Sequence, residues 1–282
     1  MGTALLNFIN DLSTYAFLRH ALYTAIILGV SCGMVGCFII LRGLALMGDA
    51  ISHAVLPGVA ISYLLHISYF YGAVAFGLLT ALSISFIGQH SKIKSDAAIG
   101  IVFSAFLALG IILITKIQSA INLNNILFGN VLTIKESDRI LTYVISGIVL
   151  LTIFLFFKEL MLTTFDRVMA QASGLPVKFI DYMIMIMLTL ITVVSLQTVG
   201  VILVVSLLIT PAATAYLLTQ KLTTMLWLSA LIGALSAVVG LFLSVTYNLP
   251  SGVVIVLVAA SIFTFVFLFN QKTGLAWKAF RP

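Results

Sequence analysis

Long apolar runs and short polar breaks alternate along almost the whole chain. Residues 21–41, 50–91, 97–115, 140–157, 182–220 and 222–271 contain no Asp, Glu, Lys or Arg. A membrane-crossing helix needs roughly 20 apolar residues, so these runs predict nine spans. Residues 21–41, 97–115 and 140–157 supply one each. The run 50–91 supplies two, hinged near His66-Ile67-Ser68. The run 182–220 supplies two, with a break near Ser195-Leu196-Gln197-Thr198, and 222–271 two more, joined by Tyr247 to Gly252. Residues 117–134 are also uncharged, but Asn122, Asn124, Asn125 and Asn130 argue for an interfacial or re-entrant stretch covered by protein or water. Residues 1–20 and 117–134 decide between eight and nine crossings. The pattern therefore predicts an all-α polytopic membrane protein, one transmembrane domain over 1–282, built as a bundle of eight or nine helices per protomer.

Composition points the same way. Hydrophobic residues make up 62% of the 282 and charged residues 8%, against about 25% charged in an ordinary soluble domain. No soluble domain of useful size remains between the runs. The N-terminus lacks the basic segment and apolar core of a cleaved signal. Cys32 and Cys37 lie five residues apart inside the first run, a spacing that turns them to different helix faces, so both read as packing residues.

Asp49 and His53 stand out against this background. An ionisable group in an apolar span costs roughly 2.5–3.5 kcal/mol on insertion scales, so it usually lines a pathway or a site. Their i, i+4 spacing stacks them on one helix face. A carboxylate with an imidazole offers ligands for a divalent metal; on spacing alone a polar pair that merely caps a helix is the more common arrangement. Pro57, one turn beyond His53, should break or kink the helix there, and Pro211 should do the same in its own run. Of the other histidines, His20 and His66 fall at span ends and His90 in a basic loop. Asp96 and Gln197 are lesser candidates for the pathway, each also explicable as an N-cap or an interhelical hydrogen bond.

The net charge of +6 reports topology, since no basic face or aromatic stacking platform accompanies it. Alternating sides across nine spans puts Arg42, Lys92, Lys94, Lys158, Arg167, Lys178, Lys221, Lys272, Lys278 and Arg281 on one side. Arg19, Lys116, Lys135 and Arg139 fall on the other. By the positive-inside rule the first side, with the C-terminus, is cytoplasmic. Residues 158–181 form the largest charged segment on it. Thr163 or Thr164 is expected to cap a short helix running from Phe165 to Ala172, with Asp166 near its positive end and Gly174 and Pro176 stopping it. A helix this short needs a partner surface to dock on, or else lies on the membrane. Gly29 and Gly33, and Gly233 and Ala237, have the spacing of close helix packing without marking a dimer interface.

No GxxxxGK[ST] loop, Gly-Lys dipeptide, HExxH or nucleophile–base arrangement occurs, so the sequence does not read as an enzyme; ATP hydrolysis, if used, belongs to a separate subunit. The stretch GCFIILRGLALMGDAISHAVLPGVAISYLL (36–65) resembles the signature of the permease subunits of bacterial ABC importers for manganese, zinc and iron. The likeness continues through SDAAIGIVFSAFLALGIIL (95–113), ILFGNVL (126–132), TTFDRVMAQASGLPV (163–177) and SLQTVGVILVVSLLITPAATAYLL (195–218), and is greatest to the manganese importers of Gram-positive bacteria. The resemblance implies a type II-like permease fold and a homodimer with the metal path at its two-fold interface. It also implies two copies of a cytoplasmic ATPase subunit and an extracellular metal-binding lipoprotein. It makes Asp49 and His53 the metal-contacting pair, with manganese as cargo and no resident cofactor. Residues 163–177, including Phe165, Asp166, Ala170 and Gly174, become the segment that couples to the ATPase. That role asks for Asp49 deeper in the membrane than simple alternation allows, which requires residues 42–48 to turn back inward. Zinc or iron import, an ATP-independent metal/proton transporter using Asp49 as a relay, and an organic cargo stay open. The last two call for inverted repeats with further buried carboxylates, or an aromatic-lined cavity.

Overall fold

The computed structural model describes residues 2–117 and 134–270, so the expected interfacial stretch and the ILFGNVL motif lie essentially outside it. Among the described residues every regular element is helical: α1 (Gly2–Thr14), α2 (Ala16–Leu41), α3 (Leu46–Ala54), α4 (Leu56–Leu64), α5 (Tyr69–His90), α6 (Ser95–Ile117), α7 (Glu136–Leu155), α8 (Phe157–Phe165), α9 (Arg167–Ala172), α10 (Val177–Val199), α11 (Val201–Leu218), α12 (Leu222–Tyr247) and α13 (Ser251–Phe269). Eight of these (α2, α5, α6, α7, α10, α11, α12 and α13) are long and apolar enough to cross a bilayer. The chain is a multi-pass membrane protein.

The ninth expected span is the pair α3–α4, two helices of nine residues each. Pro57 opens α4 and lacks the N–H that a continuous helix would use, so the break falls at Val55 as the sequence predicts. Pro211 behaves differently: α11 runs on through it. At the far end of α4 the chain reverses through His66, at φ 55°, and α5 returns beside α4. A similar left-handed residue, Asn248 at φ 52°, ends α12, where the Ser244 hydroxyl donates to the Leu249 carbonyl.

One break moves. Ser195 and Thr198 lie inside α10, and the chain turns at Gly200, φ 83°. The hydroxyl of Thr198 is satisfied within the helix by the Val194 carbonyl at 3.0 Å, and Ser195 meets Cys32 Sγ at 3.5 Å, so neither needs to end it. The positive φ is what demands glycine.

Helix α2 is the axis of the bundle, with most of its residues from Leu28 to Ile39 buried. It runs antiparallel to α12 in direct backbone contact. A Cβ on Gly29 would lie 2.6 Å from the Gly233 carbonyl oxygen, and the Ser229 hydroxyl donates to the Gly33 carbonyl at 2.8 Å. The GxxxG spacing in α2 therefore serves packing within the protomer. Cys32 and Cys37 are free and fully buried there.

Candidate metal site

Between α2 and α3 lie only residues 42–45. Gly43, at φ 69°, permits the reversal, and the Leu44 N–H donates to the Ile39 carbonyl at 2.9 Å. α3 then turns back into the bundle, packed against α6, α5, α10 and α11. A Cβ on Gly48 would lie 3.0 Å from Leu208 Cδ1 and 4.0 Å from Leu188 Cδ1. Leu188 is the middle residue of α10. Asp49 therefore sits near the mid-depth of the bundle, and the tight turn resolves the conflict between simple alternation and a deep site.

Asp49 and His53 share the outward face of α3. His53 Nε2 is 3.6 Å from Asp49 Oδ1, an ion pair only when the imidazole is protonated, and the side chains are 25% and 45% exposed respectively. Their neighbours Met47, Gly48, Ala50, Ile51, Ser52 and Ala54 are buried. The His53 ring meets Phe103 of α6 edge-on, with centroids 5.6 Å apart. Among the described residues no third His, Cys, Asp or Glu joins the pair. One protomer thus offers one carboxylate and one imidazole, short of the four to six ligands that divalent metals take.

The lesser candidates stand apart. Asp96 is exposed in the first turn of α6. Gln197 is half-buried nine residues beyond Leu188 on α10, about 14 Å further along that helix axis.

At the Arg42 end of the bundle, the expected short helix is present as α9. Its cap is Asp166, whose carboxylate accepts the Met169 N–H at 2.8 Å. Thr163 and Thr164 do not cap it: their hydroxyls donate back to the Glu159 and Leu160 carbonyls within α8, at 2.8 and 2.6 Å. Gly174, at φ 77°, ends the segment, with the Leu175 N–H returned to the Ala170 carbonyl at 3.1 Å. Ala170 is the one buried residue of α9, while Phe165, Val168 and Met169 are 59%, 77% and 56% exposed.

Behind α9 lies a cluster that the sequence did not single out. The buried Arg42 donates to Asp181 on α10 and to Thr163 and Thr164 on α8, the last two at 3.0 and 3.2 Å. Burial lowers the Arg42 pKa; Asp181 opposes that by hydrogen bond and charge, and Arg167 adds to it. A guanidinium stays charged regardless. The available signal was a carboxylate near the start of an apolar span, facing an arginine that ends another.

The comparisons decide the family. The model of the ABC 3 transport family matches residues 14–270. The chain belongs to that family. It is 56% identical over 268 residues to the manganese transport system membrane protein MntC of Listeria monocytogenes, covering 95% of this chain and 96% of that one. It is 53% identical over 265 residues to the manganese import system permease protein ScaB of Streptococcus gordonii, covering 94% and 95%. Among solved structures, a chain of the PsaBC complex of Streptococcus pneumoniae bound to Fab superposes with a TM-score of 0.86 at 50% identity, over 95% of this chain and 97% of the other.

Proposed function

We propose that this chain is the permease subunit of an ATP-driven manganese importer, its single transmembrane domain working as a homodimer. The carrying observation is a carboxylate and an imidazole held on one half-exposed helix face at mid-depth, with too few ligands for a metal in one protomer. A second copy facing it across a two-fold axis supplies another Asp49 and His53. Four side-chain ligands, with water or carbonyl oxygens, then suit a six-coordinate divalent ion. The outer face of α6 supports this face as the interface. Gly100, Ser104 and Ala108 form an exposed small-residue row beside Phe103, and the Ser104 hydroxyl is already satisfied by the Gly100 carbonyl at 2.8 Å. Small rows of this kind allow close helix approach. The relatives' manganese names favour that cargo over zinc and iron, which an Asp/His set also suits.

The Arg42 end is the cytoplasmic end in this reading, with the C-terminus on that side. Described basic residues are concentrated there: Arg42, Lys92, Lys94, Lys158, Arg167, Lys178 and Lys221, against Arg19, Lys116, Lys135 and Arg139 at the other. The exposed Phe165, Val168 and Met169 form the apolar knob that docks on an ATPase subunit, two copies per dimer, and a separate extracellular lipoprotein delivers the metal. Measuring cellular metals in a deletion strain, with growth rescued by each metal separately, tests the cargo. Loss of manganese supports the proposal; loss of zinc alone, with manganese unchanged, contradicts it.

A further inference from the structure

Asp181 lies in the second turn of α10 with its carboxylate shared between two guanidiniums from different elements. Arg42, 7% exposed, reaches it from the end of α2, while Arg167, 62% exposed, reaches it from the first residue of α9. Arg167 Nη2 contacts both carboxylate oxygens, at 3.3 and 3.2 Å. Through Thr163 and Thr164, Arg42 also holds the last turn of α8. Asp181 thus ties the end of α2 and the start of α9 to α10, and Arg42 ties the end of α8 into the same cluster.

The two arms lead to different parts of the proposed machine. Arg167 belongs to α9, which has a single buried residue and little else to anchor it. Arg42 opens the turn from which α3 rises to Asp49. Beside the cluster is an open cavity of about 410 Å³, lined by Arg42, Thr163, Thr164, Arg167 and Asp181 and reaching Met47 of α3. The cluster has space on one side in which to shift, and packed helices on the other to carry the shift.

We infer that Arg42, Asp181 and Arg167 form the positioning link through which movement of α9 reaches α3 and the Asp49/His53 pair; this rests on the importer reading. When an ATPase pair closes and displaces α9, Arg167 pulls on Asp181. Asp181 in turn holds Arg42 and the α2–α3 turn. Removing the outer arm leaves α9 docked but disconnected, so ATP is spent with less metal moved.

The test uses the complete complex of this chain with its ATPase subunit in proteoliposomes, reading ATP hydrolysis and manganese uptake on the same preparation. Arg167→Ala, compared at matched subunit ratio, raises the ATP consumed per metal about fivefold, the upper range for an exposed ion pair. Arg167→Lys, which keeps the charge, recovers part of the loss. In an Asp181→Asn background, Arg167→Ala adds nothing further, because the partner is already gone. Hydrolysis and uptake falling together at a constant ratio, or additive effects in the double variant, would overturn the link. An unaltered complex that takes up manganese without needing ATP would instead sink the importer reading beneath it.

Discussion

Gly100→Leu separates the fold of the protomer from its pairing. A Cβ at Gly100 meets nothing within 4 Å, so the protomer itself has room for a larger side chain. Within α6 the change even gains about 0.8 kcal/mol of helix propensity. Against a second copy the balance reverses. Helices packed through ordinary side chains stay about 8–10 Å apart, whereas small residues allow closer approach. Overpacking such a contact costs roughly 1–3 kcal/mol, which converts to about a 5- to 150-fold loss in the dimer equilibrium. Pushing two copies apart by even about 1 Å also spoils a shared metal site, where ligand distances hold to about 0.2 Å. Native mass spectrometry and disulfide trapping across α6 report the dimer, and uptake reports the site. Gly147→Leu on α7 is the control, since its Cβ also meets nothing within 4 Å. A Gly100→Leu variant that remains fully dimeric with normal uptake would refute the interface.

Other expectations follow from single contacts. Val168→Asp puts a charge on the exposed apolar knob of α9 and should release the ATPase subunit on co-purification while the permease itself stays folded; unchanged co-purification would count against docking there. Gly233→Ala places a methyl against the Gly29 backbone, 2.7 Å from its carbonyl carbon, and should cost about 1–3 kcal/mol, read as a lower unfolding temperature in detergent. His53→Ala leaves Asp49 in place and should weaken manganese uptake without changing the yield of assembled complex, measured by initial rates across metal concentration.

The bundle is legible because the crossings fall in uncharged runs long enough for one span or two, and because Pro57 and Asn248 carry their breaks in their own chemistry. The break between α10 and α11 falls later than the polar residues suggest, for the opposite reason. Ser195 and Thr198 look like helix enders in sequence, yet their hydroxyls are satisfied inside the bundle, and only Gly200 has the backbone freedom the turn requires. For α9 the sequence offers Thr163 or Thr164 as the cap, whereas the structure uses Asp166, a stronger cap type close by. Asp49 and His53 were visible as ionisable residues in an apolar run. Their depth was not, since it depends on a reversal at Gly43 that hydropathy does not register. The Arg42–Asp181–Arg167 cluster was hidden because its members are 139 and 14 residues apart, and pairing at that range is a property of the fold.

Central to all of this is the role of Asp49, and manganese uptake by proteoliposomes holding the Asp49→Ala complex tests it most directly. The account predicts that the variant dimer still assembles with its ATPase subunit and still hydrolyses ATP, while ATP-dependent manganese uptake falls to the level of empty vesicles. Uptake at the unaltered rate in this variant, and again in Asp49→Ala combined with His53→Ala, would place the metal path elsewhere in the bundle.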